Sequence, residues 1–298
     1  MNKFITAKEA AKKWNISERS VRNYCALNRV SGAIFTNGSW QIPEDAKKPT
    51  RSNEKPNKNY LLERLREEKA LALKGGIYHQ MQIDLTYNSN HIEGSQLTHD
   101  ETRYIFETRT IGGSDKKATR IDDIIETINH FQAIDRVIDF ANYPLSEAFI
   151  KELHKILKTG TSDASLSYFA VGNYKKRPNI VGDRETALPN LVPEEMKKLV
   201  DTYNQKDKHT FEEILEFHVK FERIHPFQDG NGRVGRLIAL KECLKNNIVP
   251  FIILDKYKMF YYRGLNEWDS QRGYLVDTCL LGQDILKGYL DYFQIKYK

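Results

Sequence analysis

Apolar residues recur at three- and four-residue intervals along most of this chain. The clearest run is DDIIETINHFQAIDRVIDFA (122–141), where Ile124, Ile125, Ile128, Phe131, Ile134, Val137 and Ile138 form one stripe. That period predicts an amphipathic helix. It also predicts helices in YLLERLREEKALALK (60–74), LSEAFIKELHKILKTG (145–160), VPEEMKKLVDTYNQK (192–206) and FEEILEFHVKFERI (211–224). Ser146 and Gly160 stand where the caps of the 145–160 helix belong, and Pro193 fits the first turn of the next one. Two stretches break the pattern. KKPTRSNEKPNKN (47–59) is polar and charged and predicts a linker over 49–59. VGNYKKRPNIVGDRETALP (171–189) is rich in Gly and Pro and has room for a short β-hairpin around Ile180 and Val181. The expected fold is mainly α.

The first segment reads differently. In ITAKEAAKKWNISERSVRNYCALNRV (5–30), Thr6 can cap a helix carrying Ala10, Ala11 and Trp14, and Ser17 can cap a second one. On the second helix Val21 and Tyr24 face inward, which leaves Arg19, Ser20, Arg22 and Asn23 outward. AIFTNGSWQIP (33–43) predicts a hairpin turning at Asn37-Gly38. Two helices and a hairpin over 1–48 resemble the winged helix-turn-helix of the MerR/excisionase type. That resemblance implies DNA as a partner, with Arg19, Ser20, Arg22 and Asn23 as the candidate contacts. A small protein-binding module with a solvated basic face is the plainer reading.

Charge separates the same segment from the rest. Residues 1–58 hold 12 Lys/Arg against 5 Asp/Glu, whereas the remaining 240 hold 34 against 35. A basic segment beside a neutral body points to a polyanion for that segment alone. Composition otherwise narrows the field. The chain has 298 residues, 29% of them charged and 40% hydrophobic, as in a soluble two-domain protein. No apolar run is long enough to span a bilayer, and MNKFITAKEAAKKW lacks a signal-peptide core, so a cytoplasmic protein is expected. Cys25, Cys243 and Cys279 are scattered and predict reduced thiols rather than disulfides or a zinc site.

The chemistry concentrates in HPFQDGNGRVGR, residues 225–236. A surface loop would explain its Gly, Asn and Asp but not the density of functional side chains. Gly230-x-Gly232-x-x-Gly235 imitates a dinucleotide fingerprint, with Asp255 following the apolar VPFIIL. Against that reading, Pro226 would interrupt a ladder, and the surrounding pattern is helical. A third reading uses every residue. A glycine-bearing loop entering a helix offers backbone N–H groups to an anion. Gly230 and Gly232 let a phosphate approach, and Arg233 and Arg236 add positive charge on the helix. Asp229 is a hard ligand for Mg²⁺, and His225 can take a proton from a hydroxyl.

The stretch matches HxFx(D/E)GNGRxxR, the signature of the Fic family, and the chain resembles that family over 60–298. The resemblance implies a helical domain with a hairpin flap that transfers AMP from Mg·ATP to a Ser, Thr or Tyr hydroxyl of a protein. It implies His225 as general base, Phe227 as the loop's anchor and Asp229 as the Mg²⁺ ligand. Asn231, with the backbone at Gly230 and Gly232, would hold the α-phosphate, and Arg233 and Arg236 the β- and γ-phosphates. Relatives that phosphorylate carry Lys at the position of Gly232, so glycine favours AMP transfer. SNHIEG (89–94) resembles the family's inhibitory motif. There Ser89 and Glu93 fall on one helix face, and Glu93 is expected to pair with Arg236 and pull it from the γ-phosphate. In some relatives the same glutamate serves removal of AMP. A DNA-binding regulator whose Fic domain senses nucleotide or modifies itself is the rival reading. The flap implies target docking by strand addition at Ile180 and Val181. KYKMFYYRGLNEW (256–268) is expected to be a helix lining an adenine pocket through Tyr261, Tyr262 and Leu265. The family also makes a homodimer an expectation. Gly112-Gly113 reads as a flexible loop with no assigned role.

Overall fold

The computed structural model describes residues 3–26, 29–36, 38–49, 58–111, 118–182 and 184–297. Asn37, the body of the linker and Gly112-Gly113 lie outside the described residues. The chain divides into two compact units, Met1–Lys58 with Asn142–Pro144, and Asn59–Ala141 with Leu145–Lys298.

The smaller unit contains α1 (Ala7–Trp14) and α2 (Glu18–Ala26) beside a three-stranded sheet. Thr6 and Glu9 form a reciprocal capping box at the start of α1, and Ser17 Oγ accepts from the Ser20 N–H at the start of α2. The sheet holds β1 (Phe4–Thr6), β2 (Ile34–Thr36) and β3 (Ser39–Pro43) in the order β1-β3-β2. β2 and β3 are the expected hairpin. β1 is an addition: three residues are too short to show alternation, and pairing with β3 alone makes them a strand, with Ile5 opposite Ile42. Ala10, Val21, Cys25 and Ile42 close a small core. Arg19, Arg22 and Asn23 are exposed on α2, and Ser20 is half-buried. Arg22 is ion-paired with Glu18 one turn back.

The larger unit is helical. In chain order it has α3 (Tyr60–Ala70), α4 (Ile77–Ile92), α5 (His99–Thr108), α6 (Ile121–Phe140), α7 (Glu147–Lys158), α8 (Val192–Tyr203), α9 (Phe211–Ile224), α10 (Asn231–Lys245), α11 (Lys258–Asn266) and α12 (Gly273–Tyr292). A two-stranded hairpin, β4 (Ile180–Val181) and β5 (Arg184–Glu185), lies between α7 and α8 where it was expected. Ser146 caps α7, which ends one residue earlier than predicted, with Gly160 at φ +82° just beyond. α10 is the central element. Its residues Val234, Gly235, Leu237, Ile238, Leu240 and Leu244 are buried on several faces, and it packs against α9, α6, α7 and α4. Its uncapped N-terminus is where backbone N–H groups are left without intrahelical partners, which puts the chemistry there. The apolar VPFIIL that imitated a Rossmann strand is an extended segment without strand pairing. Asp255 after it opens a short 3₁₀ turn.

Candidate phosphate-binding site

α9 stops at His225 because that residue takes the left-handed conformation, φ 51° and ψ 61°. A non-glycine residue there is uncommon and marks a constrained position. Two residues on, Phe227 is wholly buried and stacks on His154 with ring centroids 4.0 Å apart. The loop is thus fixed at both sides of Pro226. Asn231 closes it: its Oδ1 accepts from the Phe227 N–H at 2.8 Å and its Nδ2 donates to the Phe227 carbonyl at 2.9 Å. The residue is 1% exposed. Asn231 therefore shapes the loop that the phosphate would meet.

Gly230 then adopts φ +78° and starts α10 with no side-chain cap. The first N–H groups of α10 are left for an anion, where the helix dipole favours one. Gly232 explains what covers them. A Cβ on Gly232 would lie 2.2 Å from Glu93 Oε1 and 3.0 Å from Arg236 Nη1. Any larger residue there would push the Glu93 carboxylate aside, since it rests on the glycine α-carbon.

Arg236 is gripped by the end of α4. Its Nε donates to Ser89 Oγ at 3.0 Å, and its Nη2 donates to the Ser89 carbonyl at 3.0 Å and to Glu93 Oε1 at 2.7 Å. The guanidinium also stands 5.9 Å from the Tyr261 ring. Glu222 lies close to the same group, its carboxyl pushed up to about 8 by burial and by the charge of Glu93. Arg233 takes other partners. It pairs with Glu126 of α6 and, at 3.4 Å, with Asp229 Oδ2. The two arginines, expected to act together, are held by separate carboxylates.

Burial, and then the Lys175 ammonium, push the His225 imidazole down to about 4, against the pull of the Glu222 carbonyl and of Glu93 and Asp229. His225 is therefore neutral at ordinary pH and able to accept a proton. Burial opposes ionisation of Asp229, but Arg233 and Lys158 overcome it and hold the carboxyl at about 2. Among the described residues no cluster of three His, Cys, Asp or Glu is disposed to hold a metal ion. An ionised, half-exposed Asp229 still fits Mg²⁺, which takes one or two carboxylates and fills its shell with phosphate and water.

The remaining candidates separate. Tyr262 is partly exposed, and its hydroxyl donates to the Ile92 carbonyl at 3.2 Å. Leu265 is half-buried. Tyr261 is 1% exposed, with its hydroxyl 2.6 Å from His218 Nε2, so it is a core residue behind Arg236 and not a wall of an open adenine pocket. Ile180 and Val181 are exposed on the flap. The flap's root is tied to the loop by residues the sequence reading missed. Lys175 Nζ donates to Asn179 Oδ1 and Thr186 Oγ1, and Asn179 Nδ2 donates to the Phe227 carbonyl. Glu126 and Lys158 were missed too.

Residues 144–243 match the model of the Fic/DOC family. Over that third of the chain the sequence is similar to the Fic/DOC family. Among curated proteins, it is 29% identical over 191 residues to protein adenylyltransferase Fic of Nematostella vectensis, covering 61% of this chain and 42% of that one. It is 27% identical over 192 residues to protein adenylyltransferase fic-1 of Caenorhabditis elegans, covering 60% and 35%. The chain thus spans less than half the length of these relatives. The fold is shared with solved structures. A Fic domain containing signaling protein from Bacteroides thetaiotaomicron superposes with a TM-score of 0.61 at 24% identity, covering 78% of this chain and 94% of that one. Fic-1 of C. elegans (residues 134–508) gives 0.58 at 21%, covering 79% and 72%. His225 and the whole loop to Arg236 fall inside the matched Fic segment, whereas Ser89 and Glu93 fall outside it. Among the described residues no helix is long and apolar enough to cross a membrane.

Proposed function

We propose that the larger unit transfers AMP from ATP to a Ser, Thr or Tyr hydroxyl of a protein, and that Glu93 restrains it. The observation that carries this reading is the position of Glu93: an anion lies on Gly232 at an uncapped helix N-terminus and binds Arg236. A triphosphate needs the same N–H groups and the same guanidinium. In this reading the hydroxyl oxygen attacks the α-phosphorus, its proton passes to neutral His225, and pyrophosphate departs. The backbone at Gly230 and Gly232 would cradle phosphate, Arg233 and Arg236 would bind the outer phosphates, and Tyr262 would flank the base. Mg²⁺ bound with ATP would neutralise phosphate charge, with Asp229 as its protein ligand. Ile180 and Val181 would take the target as an added strand. The relatives named protein adenylyltransferase support the chemistry.

ATP labelled at the α-phosphate tests it. Protein incubated with cell extract should acquire the α label and none from the γ-phosphate. Incorporation of γ label alone would make it a kinase and overturn the proposal.

A second reading concerns the smaller unit alone. The excess charge of residues 1–58 and the exposed Arg19, Arg22 and Asn23 on α2 favour DNA as its partner. Duplex binding followed by fluorescence anisotropy should weaken steeply with salt and fall further in Arg19→Ala. Affinity that ignores both salt and that substitution would remove DNA as the partner.

A further inference from the structure

Lys158, the last residue of α7, is 2% exposed. A lysine is almost never buried without paired charge, and here the pairing is threefold. Its ammonium lies 2.5 Å from Glu126 Oε1, 2.7 Å from Asp229 Oδ2 and 3.2 Å from Asp163 Oδ2. Three helical elements and the signature loop supply these groups. Arg233 joins the same cluster through Glu126 and Asp229, so each of those carboxylates touches two cations. Both of Asp229's cation contacts fall on Oδ2.

This arrangement sets a condition on Asp229. A free dication approaching Asp229 must displace Lys158 and Arg233 from Oδ2, and both cations are held in place by the neighbouring carboxylates. A polyphosphate offers the two cations other anionic partners and so lowers the cost of that exchange. We infer that Lys158 is a positioning residue that makes metal capture at Asp229 conditional on nucleotide, because its ammonium must release Oδ2 before a metal can bind there. The inference rests on the reading of Asp229 as the metal-holding acid. Such a device keeps the carboxylate ionised and oriented for the nucleotide's cation. It also keeps the empty protein from loading a metal that would hinder that exchange.

Binding of Mn²⁺ to the full chain, followed by electron paramagnetic resonance of the free ion, tests this without any turnover. The wild type should bind Mn²⁺ weakly alone and well with the non-hydrolysable analogue AMP-PNP. Lys158→Met should bind Mn²⁺ without nucleotide at least ~10-fold tighter than wild type, because the competing charge is gone. Adding Asp229→Asn to that variant should erase the gain. Removing a buried charge partner destabilises, so each variant is first checked for a cooperative thermal melt. Glu126→Gln gives an independent reading on a chain that keeps its lysine. There Lys158 and Arg233 turn more fully to Asp229, and Mn²⁺ affinity in the presence of AMP-PNP should fall. A rise would overturn the inference. If Asp229→Asn alone leaves Mn²⁺ binding with AMP-PNP unchanged, the reading of Asp229 fails and this inference with it. If that variant weakens binding and a folded Lys158→Met binds no tighter than wild type, the inference alone fails.

Discussion

Glu93→Gly raises AMP incorporation by roughly 10- to 100-fold, the range that the relief of one charge-assisted hydrogen bond of about 1.5–3 kcal/mol provides. The estimate follows from what the carboxylate does. It occupies the space over Gly232 and takes one of the three hydrogen bonds of Arg236. Its loss frees the anion site and the guanidinium together. Arg236 does not lose its position, because Ser89 still accepts from Nε and from Nη2. Glu93 has φ −87°, so glycine introduces no release of backbone strain that would complicate the comparison. Labelling of extract protein and of the chain itself should rise in parallel, measured with ATP labelled at the α-phosphate. Glu93→Gln separates charge from shape. It keeps the volume over Gly232 while losing the ion pair, and should give an intermediate increase. Flat incorporation in the glycine variant would show that Arg236 is not what limits productive ATP binding.

The sequence made the scaffold and the loop legible for different reasons. Helices such as α6 and α9 announce themselves because each keeps an exposed or half-exposed side opposite its buried one, and period survives in such a helix. α10 has no such stripe, being enclosed on several sides, and only the glycines and arginines of its first turns mark it. The loop was legible because its residues are contiguous: His225, Asp229, Gly230, Asn231, Gly232, Arg233 and Arg236 lie within one turn and two turns of helix. Even there, the loop-closing role of Asn231 was not legible. Its side chain faces back to Phe227, a choice set by the two backbone groups that would otherwise be buried without partners. What stayed hidden is non-contiguous. Lys158 ends an amphipathic helix and reads as a solvated terminus, yet two of its three partners lie 32 and 71 residues away. Glu126 sits on a half-buried face of α6, and no spacing ties it to Arg233, 107 residues on. Tyr261 shows the reverse error. An aromatic beside Tyr262 suggested a pocket wall, and its hydroxyl is instead satisfied by His218 in the core.

His225→Ala abolishes transfer, with a loss of ~10²–10⁴-fold expected for removal of a positioned general base. The geometry makes this residue hard to replace. The end of α9 and the buried Phe227 fix the loop on either side, so no neighbouring group can swing into its place. Nothing in the arrangement ties His225 to the phosphates, so ATP affinity should change little, as measured by equilibrium binding. Alanine at φ 51° carries its own backbone penalty, which asparagine avoids because it tolerates the left-handed region. His225→Asn should therefore be as inactive as alanine while melting higher. This pairing distinguishes lost chemistry from lost structure. The pH profile gives a second check. Because burial and Lys175 lower the imidazole to about 4, the base form is present above that value, and wild-type transfer should fall only as pH drops through about 4. An acid limb near 6.5, the ordinary histidine value, would mean that the imidazole is more hydrated than its packing indicates. Activity in both variants close to wild type would show that another group takes the proton.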